Sequence, residues 1–99
     1  MSFRIRFTLE AKSDLERSFA YLAENDLQAA ERALETIGRA WSILEEFPFS
    51  CRKAEDTSPF LRELLIPFGA AGYVALFEIE DQQTVTVLAV RHQREDDYH

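Results

Sequence analysis

The sequence predicts an α+β fold, in which a helical hairpin packs on one face of a mostly antiparallel twisted sheet in the order β-α-α-β-β-β. Three observations carry this. A long stretch near the N-terminus repeats its apolar residues at helical spacing. The last third alternates short apolar runs with tight polar or glycine-containing links. A single short strand pattern precedes both. Helices grouped on one side of an antiparallel sheet are the layered arrangement that buries both kinds of apolar face. Ninety-nine residues make one domain, 1–99, with no internal repeat or linker.

Phe3-Arg4-Ile5-Arg6-Phe7 alternates apolar and basic residues, so it reads as a half-buried strand. Thr8 is a natural N-cap, with Glu10 in the first turn; Ser13-Asp14-Leu15-Glu16 offers a second start as a capping box. Leu15, Phe19 and Leu22 then share one helical face, and Tyr21 falls off it. Asn25 can end this helix and Asp26 can cap the next. In the second helix Leu27, Ala30, Leu34, Ile37, Trp41 and Leu44 step by three and four, which places them on one stripe, and Pro48 stops the helix. Residues 47–60 show no periodicity; Phe47, Phe49 and Phe60 are expected to be tucked under this loop. Three strands follow: Leu61–Pro67, Tyr73–Ile79 and Thr84–Val90, linked through Gly69-Ala70-Ala71-Gly72 and Glu80-Asp81-Gln82-Gln83. The nearly continuous apolar character of 73–79 marks a strand with neighbours on both edges.

Eleven basic residues against eighteen acidic ones give a net charge of −7, which argues against a broad phosphate-binding surface. Much of the excess lies in residues 9–46, on what should be solvated helix faces. One cysteine, Cys51, excludes an internal disulfide and suits a reducing compartment; its neighbours Arg52 and Lys53 favour a lowered pKa, but an inert thiol is the expectation. Two histidines and one cysteine give no metal-ligand spacing, and neither a metal nor a cofactor is expected. No N-terminal run is long and apolar enough for a signal peptide or membrane span, so the cytoplasm is the expected compartment.

The densest cluster of reactive groups follows the last strand: Arg91-His92-Gln93-Arg94-Glu95, then Tyr98. With Arg62-Glu63-Leu64, Gly72-Tyr73, the run Val87 to Glu95 and the Asp14-Leu15-Glu16 region, the chain resembles the RelE/ParE toxin superfamily, and within it the ParE and plasmid-stabilisation-protein branch. The likeness spans almost the whole chain. It implies the toxin of a type II toxin–antitoxin pair, neutralised by a cognate ParD-like antitoxin of ribbon-helix-helix type and arresting growth when free. RelE-like members cut messenger RNA in the ribosome, whereas ParE-like members are associated with inhibition of DNA gyrase.

Cleavage of RNA needs a base for the 2′-hydroxyl and cations for the phosphorane charge. Arg91, Arg94 and Tyr98 are the catalytic candidates for that alternative. The family's Gly-Tyr-Arg pattern, however, reads Gly72-Tyr73-Val74 here, removing an arginine. Action by binding asks only for a shaped surface with a few anchors. Arg62, Arg91, His92, Arg94 and Glu95 are the candidates for contact with DNA gyrase, and no sequence-specific nucleic-acid binding is expected. Arg91 and Arg94 have a purely structural alternative in pairing with Glu78, Glu95 or Asp96. Phe19, Tyr21, Leu22, Leu34 and Trp41 are the candidate antitoxin contacts, and a non-toxic interaction domain is a further alternative.

Overall fold

Thr8 turns the chain from strand into helix. In the computed structural model, which describes residues 2–69 and 71–93, strand β1 (Arg4–Phe7) is followed by helix α1 (Leu9–Asn25). The Thr8 hydroxyl oxygen accepts the N–H of Ala11 at 3.1 Å, partnering one of the amides that a helix start leaves open. The alternative start at Ser13 is not used. Asp26 then serves two helices. Its own N–H donates to the Leu22 carbonyl at 2.8 Å, closing α1, and its carboxylate accepts the Ala29 N–H at 3.1 Å, opening α2 (Leu27–Glu46). A one-residue link makes the helices antiparallel neighbours. Pro48 ends α2 and heads a single 3-10 turn, Pro48–Ser50.

Four more strands complete the chain: β2 (Arg52–Glu55), β3 (Ser58–Phe68), β4 (Ala71–Ile79) and β5 (Thr84–His92). The sheet order is β1-β5-β4-β3-β2, antiparallel except for the parallel pair β1/β5. The expected architecture holds, with β2 as an addition. That strand has no apolar alternation to betray it; it forms by pairing Arg52 with Glu63 and Lys53 with Arg62. Short, charged and irregular in register, it blunts the sheet edge against further pairing.

One face of the sheet is buried under the hairpin. Val85, Val87 and Val90 from β5, Tyr73, Ala75, Phe77 and Ile79 from β4, and Leu64 and Ile66 from β3 meet Ala11, Ala33, Ile37, Ala40 and Leu44. The buried side of α2 differs from the expected stripe. Ala33 and Ala40 lie inside, whereas Leu27 and Leu34 are 56% and 44% exposed. At ~100° per residue the buried stripe is rotated by about 50° from the one drawn through the large residues. Alanine carries little hydrophobic signal, but it lets the helix axis approach the core closely.

Phe47, Phe49 and Phe60 are not tucked anchors; they are 65%, 52% and 49% exposed. Pro48 takes the buried place beneath this segment. Phe49 and Phe60 pack edge to face on the surface, with ring centroids 6.3 Å apart.

Candidate functional site

Strand β5 outruns its edge partner. β1 pairs only with Thr84–Val87, and beyond Val87 the outer edge of β5 would present unsatisfied backbone groups. Helix α1 supplies what a strand would have supplied. The Thr8 N–H donates to the Val87 carbonyl at 3.1 Å, and the Thr8 hydroxyl donates to the Leu88 carbonyl at 3.0 Å. Leu88 is the extra residue of a bulge, between the pairs Phe77/Val87 and Leu76/Ala89. Two residues facing one bends the strand locally, and this brings its end against α1. Six residues further along the chain, Asp14 Oδ2 accepts the Val90 N–H at 2.9 Å.

Asp14 is the buried charged residue among the described residues, at 4% exposure. A carboxylate taken out of water is costly unless its acceptor capacity is filled. Here Oδ1 accepts Arg91 Nη1 at 2.6 Å and Arg17 Nη1 at 3.1 Å, while Oδ2 holds the main chain. Arg91 is thus paired across the fold with α1, and not with Glu78, which sits opposite Thr86 in the register. About half of the Arg91 side chain stays exposed beyond this contact. Beside it, the His92 ring stands edge-on to Tyr73 with centroids 5.3 Å apart, and Tyr73 itself is 2% exposed.

The other residues singled out in the sequence fall as follows. Arg94, Glu95 and Tyr98 lie outside the described residues. Arg62 does not join Arg91 and His92. It sits on β3 opposite Phe77, two strands and three register positions away from Arg91 opposite Val74. Its guanidinium works as a staple: Nε donates to the Pro59 carbonyl at 2.8 Å, and Nη1 donates to the carbonyls of Phe49 and Cys51 at 3.1 and 2.8 Å. The Phe49 ring lies 5.3 Å from the guanidinium carbon, as in a cation–π contact.

On the hairpin, Tyr21 is 68% exposed, as its position off the apolar face implies. Phe19 and Leu22 are half-buried. Trp41 is half-buried against Phe7, edge to face at 5.2 Å between centroids. Cys51 does not show the lowering that its basic neighbours favour. Burial raises its thiol pKa, and this outweighs the lowering by Arg62 and by the Ser50 hydrogen bond.

Sequence reasoning missed the part played by Asp14. It stands among the inward residues of α1, three after Ala11 and one before Leu15, where the sequence alone suggests part of a capping box. An acid inside an apolar stripe is the signal that could have found it.

The chain matches, over residues 5–97, the family described as ParE toxin of type II toxin-antitoxin system, parDE. It belongs to the ParE toxin family. This ParE-family chain is 32% identical over 79 residues to Toxin RelE1 of Caulobacter vibrioides, covering 80% of the chain and 82% of the relative. It is 35% identical over 89 residues to the protein called Putative toxin Y4kP of Sinorhizobium fredii, covering 90% and 86%. Its fold is similar to a chain of the chromosomal ParDE system from P. aeruginosa, with a TM-score of 0.74 and 15% identity over 92% of this chain and 96% of the other. It is also similar to a chain of the RelBE2 toxin–antitoxin complex from Mycobacterium tuberculosis, with a TM-score of 0.60 and 22% identity over 94% and 100%. The ParE-family chain is therefore the toxin component of a type II toxin–antitoxin system. Among the described residues no helix is long and apolar enough to cross a membrane, and no group of metal-ligating side chains gathers.

Proposed function

We propose that this toxin acts by binding, with DNA gyrase as its target, and that a ParD-like antitoxin of ribbon-helix-helix type neutralises it in the cytoplasm. The observation that carries the reading is the make-up of the β5 exit. Arg91 is committed through Nη1 to Asp14, Tyr73 is buried, and Val74 stands where a nuclease of the superfamily would place an arginine. A ribonuclease needs an accessible base and uncommitted cations around one phosphate. A contact surface needs only a rigid shape with a half-exposed anchor such as Arg91. The net charge of −7 is likewise ill-suited to entry into a site walled by ribosomal RNA. Arg91 and His92 form the described part of this surface, which Arg94 and Glu95 would extend; Arg62 contributes through the fold of its own loop.

The antitoxin surface is read from the hairpin. Tyr21 and Leu34 are large, apolar and exposed, with Leu27 on the same side of α2 as Leu34. Phe19, Leu22 and Trp41 supply half-buried flanks. Apolar surface of this kind on a 99-residue protein is what a partner segment would cover.

The test adds the purified toxin to purified gyrase and follows supercoiling, with transcripts mapped for cuts in parallel. Lost supercoiling or accumulated DNA breaks support action on gyrase. Unchanged supercoiling together with codon-dependent transcript cuts overturns it in favour of the RelE-like mechanism.

A further inference from the structure

We propose that Asp14 is a positioning residue for the target-facing end of β5, setting both the path of the strand and the direction of Arg91. This rests on the reading of that end as the surface that meets the target. The carboxylate does two jobs with separate oxygens. Oδ2 holds the Val90 N–H at 2.9 Å, where the β5 edge has no strand beside it. Oδ1 holds Arg91 Nη1 at 2.6 Å, leaving the rest of the guanidinium directed outward with the side chain 46% exposed. An arginine on a strand end ordinarily samples many rotamers, and fixing it in advance removes that entropic cost from target binding. Arg17 completes the carboxylate from the solvent side and shares its charge. The helix that carries Asp14 also carries Phe19, Tyr21 and Leu22. Asp14 itself is buried whereas Tyr21 is exposed, and its carboxylate bonds run to Arg17, Val90 and Arg91, so target contact and antitoxin contact can be tested separately by mutation.

The experiment uses Asp14→Asn, which keeps a side-chain oxygen for Val90 while removing the charge that holds Arg91. It also uses Arg91→Ala and the double variant. Each is induced in cells for viable counts and, separately, captured by the cognate antitoxin. Asp14→Asn is expected to bind antitoxin like the parent while its killing weakens on the order of tenfold, the scale of one charged hydrogen bond. Arg91→Ala should match it, and the double variant should be no weaker than Arg91→Ala alone, because the two residues act as one unit. Full killing by Asp14→Asn overturns the inference, and so does additive loss in the double variant. Should Asp14→Asn also lose antitoxin capture, Arg91→Ala decides, since it leaves the Asp14–Val90 bond in place; undiminished killing by that variant overturns the inference. A parent that does not kill overturns the underlying toxin reading instead, and the parent arm alone reveals that.

Discussion

The carboxylate of Asp14 on α1 accepts the backbone N–H of Val90 on β5 at 2.9 Å, joining residues 76 apart in the chain. A helix side chain thus completes a sheet edge. The packing of α1 on β5 is fixed by a directed bond as well as by the apolar contacts of Ala11 with the core.

Replacing Asp14 with alanine leaves the Val90 N–H buried without its acceptor and releases Arg91 and Arg17. Because both arginines are about half exposed, their share is small, and the unmet amide dominates. The expected loss is about 1–3 kcal/mol in urea unfolding. Amide exchange should speed up at Val90 before it does at Val85, which lies in the part of β5 paired with β1.

Gly72 has a φ of +153°, and a Cβ there would lie 2.4 Å from the Ile66 carbonyl oxygen, on the backbone of the paired strand. Gly69 has a φ of +64° with open space around it. Both alanine variants are therefore strained, but only Gly72→Ala must also push strands β3 and β4 apart. Gly69→Ala should cost about 1 kcal/mol, and Gly72→Ala should cost clearly more, shown by a larger drop in melting temperature.

Burial raises the pKa of the Cys51 thiol in the folded chain. Folding therefore favours the protonated form. The associated stability is present below the unfolded pKa and is lost as pH rises through the folded one. Alkylation of Cys51 at mildly alkaline pH should be slow in the native protein and should accelerate on unfolding in urea. Equal rates in both states would contradict the assignment.

Tyr21 and Leu34 are exposed, and neither is part of the buried core. Alanine at either position should change stability by no more than ~0.5 kcal/mol. The same substitutions should weaken antitoxin capture roughly tenfold each if they are anchors of that interface. Titration calorimetry against the cognate antitoxin measures this.

Much of the fold was readable because its signals are local. Thr8 and Asp26 cap where their side chains allow, Pro48 stops α2, and the β-branched run at Thr84–Val90 forms the strand expected of it. What escaped depends on partners distant in sequence. Arg52–Glu55 is a strand only because Arg62 and Glu63 lie opposite. Ala33 and Ala40 reach the core because the helix approaches closely, a fact that residue hydrophobicity does not carry. At the candidate site, Arg91 and His92 were visible as a cationic strand end. Their anchor was not, because Asp14 is 77 residues from Arg91 and Val90 contributes only its backbone. Arg62 shares their charge but not their place, because its guanidinium donates to three carbonyls of its own neighbourhood.

The decisive measurement is growth on induction of the chain alone, set against induction together with its cognate antitoxin. The account predicts arrest in the first case and relief in the second, with the two proteins copurifying. Undisturbed growth with the chain accumulating at high level as a soluble monomer would contradict it.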